Sequence, residues 1–435
     1  MSSQIGQLRR EVGLGGAVMM GLGSIVGTGV FVSIGIGAGI VGPAVVLAVV
    51  AAAFVATANG LSSAQLAASH PVSGGAYEYG YRYLTPRLGF TAGWVFLLAK
   101  SASAATAALG FSGYLLNLAG IRQDVARIVV AIAAVVLLTA VILGGIRRSN
   151  RTNTIIVSIT LTALGIFILA GLPSAAAGTP GSFIPFWAPA PGEVPWQAFL
   201  HATALMFVAY TGYGRVATLG EEVHEPQRTI PRAIVTTLAV TLLLYVAVAY
   251  VAVAAVGSAV YAELTATTAA PLEAIAQTFG VPGLGFALAV GAMTAMLGVL
   301  LNLILGLSRV LLAMGRRGDL PRSVAYVDAR TATPSVAVVA IAVVICLLIL
   351  SGNVKLTWSF SAFTVLIYYA INNLAALRLP LMHRRFPRWI AWGGLLACVF
   401  LAFWVEPAIW LAGSAAIGVG WLLHFAMQKW YVGRA

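Results

Sequence analysis

Residues 21–31 read Gly21-Leu-Gly-Ser-Ile-Val-Gly-Thr-Gly-Val-Phe31 and lie inside an apolar segment that runs from Val12 to Val41. The stretch has four glycines in nine positions, and each glycine costs about 1 kcal/mol of helix propensity relative to alanine. A helix broken within a membrane must bury its free backbone groups in protein or line a polar cavity, and such breaks mark binding sites in transporters. Alternatively, the glycines only let another helix pack closely. The stretch alone leaves both interpretations open.

The composition is that of an integral membrane protein. Of the 435 residues, 60% are hydrophobic and 9% are charged, whereas soluble domains carry about 25% charged residues. Apolar runs of about 20 residues recur along the chain, as transmembrane helices require; transmembrane strands would give short alternating segments instead. No cleavable signal peptide is predicted, since Arg9, Arg10 and Glu11 lead directly into a full-length apolar run. The sequence therefore predicts an all-α integral membrane protein.

The apolar runs predict twelve transmembrane helices, at residues 13–41, 44–67, 89–117, 125–145, 152–172, 196–220, 231–256, 283–313, 334–351, 356–378, 389–405 and 408–427. With a cytoplasmic N-terminus, nineteen lysines and arginines fall on the cytoplasmic side and three on the opposite side. This asymmetry follows the positive-inside rule and predicts that both termini are cytoplasmic. The net charge of +13 is thus explained by topology, and no nucleic-acid partner is expected. We expect a multi-pass protein in a cell membrane, the lipid bilayer of a bacterial inner membrane.

The sixth span repeats the anomaly of the first. It contains Phe207-Val-Ala-Tyr-Thr-Gly-Tyr-Gly-Arg215, with two glycines in mid-span. Two interruptions that lie five spans apart predict two five-span repeats, and an odd number of spans makes the second repeat inverted in the membrane. The predicted divisions are a cytoplasmic N-terminal tail at 1–12, a first repeat at 13–172, an extracellular loop at 173–195, an inverted repeat at 196–378, and two additional helices with a short cytoplasmic tail at 379–435. The pairing favours a binding site at the breaks.

Four motifs, in one order along the chain, carry a resemblance to a known family. They are Gly23-Ser-Ile-Val-Gly-Thr-Gly-Val-Phe31, Pro71-Val-Ser-Gly-Gly-Ala-Tyr77, Tyr210-Thr-Gly-Tyr-Gly214 followed by Gly220-Glu-Glu222, and Ser308-Arg-Val-Leu-Leu-Ala-Met314. Together they resemble the amino acid–polyamine–organocation (APC) superfamily of transporters over residues 10–380. The resemblance implies the LeuT-type fold, a five-plus-five inverted repeat, with spans one and six broken in mid-membrane and two C-terminal helices added.

The resemblance also implies where an amino acid would bind. Backbone N–H groups around Gly27, Thr28 and Gly29 would face its carboxylate. Its amine would bind the carbonyl groups of Ile25, Val208 and Thr211, next to Gly212 at the second break. Helix termini agree with this assignment, because the N-terminal end of a half-helix attracts an anion and the C-terminal end attracts a cation. Phe207 and Tyr210 are candidates for an aromatic lid over the substrate.

Two departures from the family pattern bear on coupling and partners. Many proton-coupled relatives carry a lysine in span five, where this chain has Thr160. Coupling to H⁺ or to Na⁺ therefore stays open, and Thr294 in span eight is a candidate neighbour of a sodium site. Heteromeric relatives use a cysteine after span three, but residues 117–124 contain none, so no disulfide-linked heavy subunit is expected.

The charged residues bear on the substrate. All twelve acidic residues fall in loops or at span ends, so a second positive charge on the substrate would have no buried partner, which favours a neutral amino acid. Lys100, in contrast, is a charged residue inside a predicted span. It lies about 17 Å along span three, near the middle of a hydrocarbon core of about 30 Å. It is either a replacement for the missing span-five cation or a structural lysine bound to carbonyls of a broken helix. Arg215 is interpreted as a structural or internal-gate residue.

No enzyme is indicated, since the spans hold no acidic pair, no Ser/His set and no metal-binding pattern. No cofactor and no metal are expected. We predict a secondary active transporter for a neutral α-amino acid, acting as a symporter or antiporter by alternating access. A cationic amino acid or polyamine carrier is the alternative, and a channel is a third reading that fits paired breaks less well.

Overall fold

The computed structural model describes residues 12–71, 74–121, 123–144, 150–177, 182–189, 192–217, 223–268, 270–328, 331 and 333–432. Nearly all of the predicted N-terminal tail lies outside these ranges, as do Glu221 and Glu222 of the third motif.

The described residues form α-helices and short turns, without a strand. The helices are α1 (Leu14–Ile25), α2 (Ile34–Val41), α3 (Val45–Ser69), α4 (Ala76–Tyr83), α5 (Pro86–Leu118), α6 (Asp124–Leu143), α7 (Asn150–Ala177), α8 (Pro195–Tyr210), α9 (Gly214–Ala217), α10 (Pro226–Val256), α11 (Ser258–Thr267), α12 (Pro271–Gln277), α13 (Leu284–Arg317), α14 (Ser335–Ile349), α15 (Val354–Leu377), α16 (Arg388–Ala402) and α17 (Pro407–Val432). The all-helical class predicted from the sequence is confirmed.

Eight helical segments of the described chain are long and apolar enough to cross a membrane, with Gly29–Ser69 taken as one segment. Three more apolar helices are shorter, namely α1, α14 and α16. The 15 residues of α14 span about 22 Å at 1.5 Å per residue, less than a hydrocarbon core of about 30 Å. The predicted count of twelve spans and the predicted division into repeats therefore stay predictions.

The first glycine-rich stretch interrupts its helix as the sequence predicts. α1 ends at Ile25, and Val26 adopts an extended conformation with φ −76° and ψ 105°. The chain then forms a π-helical turn at Gly29–Ser33 before α2 begins. We call Val26–Thr28 the first break. The predicted interruption is confirmed here.

The second glycine-rich stretch is interrupted more gently. α8 ends at Tyr210, a 3₁₀ turn covers Thr211–Tyr213, and the chain resumes as α9. We call Thr211–Tyr213 the second break. The interruption predicted in the sixth span is confirmed as well.

The helices pack in two groups. In the first, α1 contacts α7 and α10, and α3 contacts α8 and α10. In the second, α5 contacts α6, α13, α14 and α15. α5 and α15 are the most enclosed long helices, whereas α6 and α17 lie at the periphery. The two breaks lie on α1–α2 and α8–α9, in the first group, and α5 and α15 of the second group pass beside them.

Several helices differ from the predicted spans. α10 begins at Pro226, five residues before the predicted start, because proline suits the first turn of a helix, where no backbone N–H is required. α7 continues through Pro173 to Ala177, five residues into the predicted extracellular loop, and three alanines favour that extension. The aromatic segment at 68–88, between the second and third predicted spans, contains the short helix α4.

Candidate functional site

The two breaks contact each other directly. A Cβ atom on Gly212 would lie 2.2 Å from the Ser24 carbonyl oxygen and 2.6 Å from the Ile25 side chain. Only glycine allows two backbones to approach this closely. The sequence thus brings together the end of α1 and the 3₁₀ turn of the second break, although 188 positions separate Ser24 from Gly212.

Tyr245 of α10 connects the two breaks. Its hydroxyl oxygen lies 3.0 Å from the Ile25 carbonyl oxygen and 3.2 Å from that of Ala209, and its one proton is shared between them. Both carbonyls belong to the last turn of an interrupted helix, where no intrahelical donor follows. The Tyr245 hydroxyl is therefore a protein donor to the Ile25 carbonyl, the group to which the family resemblance assigned the substrate amine.

Thr211 is the most densely bonded residue of the second break. Its hydroxyl donates to the Val208 carbonyl at 2.8 Å and accepts from Lys100 Nζ at 2.8 Å. Its carbonyl oxygen accepts from the Tyr369 hydroxyl at 3.1 Å and from Lys100 Nζ at 3.4 Å. The remaining two carbonyls predicted to bind an amine thus also have protein donors.

A cavity of about 560 Å³ opens beside the second break. We call it the central cavity. The residues at its inner end are Ser24, Phe96, Lys100, Thr211, Gly212, Tyr368 and Tyr369. The residues at its mouth are Gly74, Gly75, Glu78, Arg316 and Arg317. Between the two ends the cavity is lined by Asn302, Gly306 and Arg309 of α13. Of the sequence-predicted residues it includes Lys100, Thr211, Gly212 and Arg215. The mouth lies at the end that the positive-inside rule predicts to be cytoplasmic.

The first break lies behind the wall of this cavity. A Cβ atom on Gly27 would lie 2.9 Å from the side chain of Val299, which lines the central cavity. A Cβ atom on Gly29 would lie 2.7 Å from the Ala209 side chain. The Thr28 hydroxyl is buried without a hydrogen-bond partner. Gly27, Thr28 and Gly29 are therefore packed against α8 and α13 in this conformation.

A second cavity, of about 650 Å³, lies on the opposite side of the first break. Its lining includes Val32, Gly35, Gly110 and Lys355. A Cβ atom on Gly110 would lie 3.6 Å from the Thr28 side chain. The first break thus forms part of the partition between the two cavities.

The two aromatic residues proposed as a lid are buried beside the second break. The Tyr210 hydroxyl donates to the Val49 carbonyl of α3 at 3.1 Å, and Phe207 packs edge-on against Tyr369 at 5.7 Å between ring centroids. Neither lines the central cavity. Their role as a lid stays a prediction.

Thr160 and Thr294 are brought together, which the sequence did not show. The Thr160 hydroxyl of α7 lies 3.0 Å from the Ile156 carbonyl and 3.4 Å from that of Gly291, and the Thr294 hydroxyl lies 3.0 Å from the same Gly291 oxygen. Both hydroxyls already donate within the protein, and neither residue lines the central cavity. No group of three or more His, Cys, Asp or Glu residues that could hold a metal ion occurs in the described part of the chain.

At the mouth of the cavity, α4 is fixed to the end of α13. Arg317 binds Glu78 at 2.7 Å. Asp319 accepts hydrogen bonds from the hydroxyls of Tyr77 and Tyr81, both at 2.7 Å. Burial and the neighbouring Asp319 carboxylate raise the pKa of both phenols, so each remains a donor. The sequence had placed these residues in loops without pairing them.

The sequence missed Tyr245 and Tyr369, which bind the carbonyls of the breaks. A signal was present, because each is a hydroxyl-bearing residue inside an apolar span, and a buried tyrosine usually finds a partner. Ser24 was also missed, although it lies within the glycine-rich stretch 21–31. Phe96 and Asn302 were missed because nothing in their local sequence distinguishes them from packing residues.

Comparison with known proteins now identifies the family. The family model for amino acid permeases matches residues 16–427, nearly the whole chain. The chain belongs to the amino acid permease family. It is thus a multi-pass membrane protein of the APC superfamily, as the four motifs predicted.

Curated relatives of this permease are named as transporters. An uncharacterized transporter of Mycobacterium tuberculosis is 40% identical over 418 residues, which cover 95% of this chain and 90% of the relative. A branched-chain amino acid permease of Bacillus subtilis is 30% identical over 347 residues, covering 76% and 72%. A vacuolar cationic amino acid transporter of Arabidopsis thaliana is 26% identical over 355 residues, covering 78% and 58%. Family and relatives indicate that this permease is a transporter rather than an enzyme.

Proposed function

We propose that this permease is a secondary active transporter that moves a neutral α-amino acid across a bacterial inner membrane by alternating access. The observation that carries the proposal is the direct contact of two interrupted helices, with the second break at the inner end of a cavity and the first break between that cavity and another. A partition between two opposed cavities is what an alternating-access carrier requires, because opening either side would expose the same site.

The proposed architecture is the LeuT-type fold with twelve spans, two inverted five-helix repeats, two additional helices and both termini in the cytoplasm. The interruptions at Val26–Thr28 and Thr211–Tyr213 support it, since they occur at corresponding places of the two predicted repeats. We propose that the helices of spans one, two, six and seven move as a unit against the remainder.

The substrate carboxylate is proposed to face the amides of Gly27–Gly29, and its amine the carbonyls of Ile25, Val208 and Thr211. Those carbonyls have protein partners in this conformation. Substrate binding there competes with the hydrogen bonds that Tyr245, Thr211, Tyr369 and Lys100 donate to these carbonyls. Such exchange links occupancy of the site to the position of α5, α10 and α15.

For coupling, we propose that Lys100 stands in for the lysine that Thr160 replaces, because its ammonium bonds the second break directly. Arg215, which lines the central cavity, is proposed to act at the internal gate. Thr294 remains the candidate for a sodium site. Uptake at several pH values by Lys100→Met tests the coupling role, since a titrating lysine predicts a flattened pH profile and an unchanged profile with an unchanged rate contradicts it.

A cationic amino acid or polyamine is the second candidate substrate, and a relative named as a cationic amino acid transporter favours it. The charges of the described residues that line the cavity oppose it, because Lys100, Arg309, Arg316 and Arg317 lie there with one carboxylate, that of Glu78. Uptake of a panel of labelled amino acids and putrescine into proteoliposomes tests both, with and without proton and sodium gradients. Saturable uptake with counterflow would support a carrier; uptake of nothing on the panel would overturn the proposal.

A further inference from the structure

Glu273 of α12 is a buried carboxyl that the proposed function does not use. It belongs to the segment between spans seven and eight, which the predicted topology places outside the cell. Although this segment is a loop between spans, the residue is only 3% exposed. Glu273 lines neither the central cavity nor the second cavity. Its side chain is therefore shielded from water in this conformation.

The carboxyl has one hydrogen bond from the described residues. Asn117 Nδ2, at the end of α5, donates to Glu273 Oε2 at 3.0 Å. The side chain also lies against the start of α13, since a Cβ atom on Gly285 would lie 3.6 Å from Glu273 Cγ. No lysine, arginine or histidine among the described residues lies within ion-pair distance of this carboxyl. A charge buried without a counter-charge is costly, so the neutral form is favoured here.

The pKa of Glu273 follows from these surroundings. Burial raises the pKa above its usual value of 4.5, and the hydrogen bond from Asn117 lowers it only in part. Tyr114 of α5 interacts electrostatically with Glu273 and with Tyr261 of α11, but a phenol ordinarily ionises near pH 10. Glu263 of α11 is exposed. Of the buried groups described at this contact, Glu273 is therefore the one that titrates between acidic and neutral pH.

The neighbouring helices add no charge to this contact. α10 and α13 pack against α12, and so does the π-helical turn at Gly29–Ser33, which has no charged residue. The charged residues of α10 and α13 lie toward the opposite, cytoplasmic ends of these helices, and they are Arg228, Arg232, Arg309, Arg316 and Arg317.

Glu273 lies where two outer helices meet the first interrupted helix. We call α11 and α12 the external cap. α11 packs against α2, and α12 packs against the π-helical turn that follows the first break. Tyr114, three residues before Asn117 on α5, donates from its hydroxyl to the Phe31 carbonyl of that turn at 3.1 Å. α5 thus binds the cap through Asn117 and the outer half of the interrupted helix through Tyr114.

We propose that Glu273 is a proton-binding site of the external cap, which takes up a proton from the external solution when α12 docks on α5 and releases it when α12 leaves. The proposal rests on the proposed function, because alternating access requires the external side to open. Opening returns the carboxyl to water, where its ionised form is favoured at neutral pH. The docked cap therefore binds more protons than the open cap, so acidic external pH stabilises docking and alkaline pH favours opening.

The test measures how often α12 leaves its place. Ala276 of α12 is fully buried, so an Ala276→Cys reporter in the full-length protein reacts with a water-soluble maleimide only after the cap opens. The reaction is followed in detergent between pH 5 and pH 8.5, and peptide mass spectrometry separates the reporter from the native Cys346 and Cys398. At each pH the rate is compared with that of the same reporter carrying Glu273→Gln, which cancels the ionisation of the thiol itself.

Glutamine has the shape of a neutral glutamic acid, so Glu273→Gln is expected to keep the cap docked at every pH. At pH 8.5 the reporter should react at least about fivefold faster with Glu273 than with Glu273→Gln, and at pH 5 at about the same rate, since one proton allows up to about tenfold per pH unit. Asn117→Asp should move this change to higher pH, because two adjacent carboxyls do not ionise together readily. Leu272→Cys, also buried on α12, is a second reporter in case the first perturbs the cap.

Glu263→Gln is the matched control, since it removes an exposed carboxyl from the same cap, and its rate ratio should not depend on pH. A ratio for Glu273→Gln that is independent of pH, in a protein that takes up amino acids, overturns this proposal alone. A pH-dependent ratio in a protein that takes up nothing from the panel overturns the proposed function instead.

A second measurement needs no reporter. A carboxyl whose pKa is raised on folding destabilises the protein as pH rises through the folded value. The melting temperature of Glu273→Gln should therefore match that of the wild type at pH 5 and exceed it increasingly toward pH 8.5. A difference that does not grow with pH would show that Glu273 carries no buried proton, and would overturn the proposal.

Discussion

The first and second breaks share a glycine-rich signature but have different surroundings. At the first break the chain becomes extended at Val26, and Gly27 packs against Val299 behind the cavity wall. At the second break a 3₁₀ turn keeps the chain compact, and Thr211 and Gly212 line the cavity. Glycine thus allows close packing at both breaks, and at the second break it also lines the central cavity.

Residues 21–31 were open to two interpretations, a helix break at a binding site and close packing against another helix, and these are not alternatives. Lipid cannot satisfy the free backbone groups of a broken helix, so another helix has to bring donors to them. Close packing does this, because Tyr245 reaches the carbonyls of Ile25 and Ala209 only where α1, α8 and α10 lie close together. The break and the packing are therefore one structural feature.

The largest expected effect is at the contact between the breaks. In Gly212→Ala the added Cβ would lie 2.2 Å from the Ser24 carbonyl oxygen, which is backbone and cannot turn away. We expect a loss of about 3 kcal/mol in stability and loss of uptake. Gly214→Ala is the control, since its Cβ would meet only the Tyr369 hydroxyl, at 3.2 Å. Thermal unfolding in detergent and proteoliposome uptake measure both; equal behaviour of the two variants would show that the breaks are not in contact.

Tyr245→Phe removes the bridge between the breaks. Two carbonyls at helix ends lose their shared donor, which costs about 1–3 kcal/mol for a buried unsatisfied group. Tyr210→Phe is the matched control, because its acceptor, the Val49 carbonyl, lies inside α3 and keeps an intrahelical donor. The melting temperature of Tyr245→Phe should therefore fall further. A larger loss in Tyr210→Phe would contradict the bridging role.

At the first break, removal of the Thr28 hydroxyl and crowding of the backbone at Gly27 are expected to have different effects. Thr28→Val removes a buried hydroxyl that has no partner, so we expect about 1 kcal/mol of added stability and retained uptake. Gly27→Val introduces atoms against Val299 and should reduce uptake. Both are read out by initial uptake rates and melting temperature. If both substitutions left uptake intact, the assignment of the carboxylate to the Gly27–Gly29 amides would be wrong.

The smallest expected effect is a pH dependence at the far end of α8, the helix that leads to the second break. In the loop before α17, Glu406 lies 3.2 Å from Lys355 and 3.4 Å from His201. Burial alone would raise the pKa of Glu406, but the neighbouring imidazole of His201 and the charge of Lys355 outweigh it and lower the pKa from 4.5 to about 2. A carboxyl whose pKa is lowered on folding stabilises the protein above its unfolded pKa, and that contribution is lost as pH falls toward the folded value.

The difference in melting temperature between wild type and Glu406→Gln should therefore be largest above pH 5 and should shrink between about pH 4.5 and pH 2. It should be modest, because the Glu406 side chain is 34% exposed and solvent screens the pairs. A difference that grows as pH falls would contradict the sign of this linkage. No corresponding dependence is expected from Thr28→Val, which changes no titratable side chain.

Much of the fold follows from local sequence. Apolar runs and terminal prolines locate the helices, and the glycines at 21–29 and 212–214 locate the interruptions, because both depend on residues close together in the chain. The partners of the breaks do not follow in this way. Tyr245 and Tyr369 act across helices that lie far apart in sequence, and only their packing shows which carbonyl each hydroxyl reaches.

By itself the sequence determined an all-helical membrane protein of the amino acid permease family with two interrupted helices, since composition, hydropathy and glycine spacing are local properties. Only the tertiary structure decided that the first break is part of a partition, that the second lines a cavity, and that Lys100 meets Thr211 there. The physical reason is that a buried polar group must find its partner in space, and the nearest partner in space is rarely the nearest in sequence.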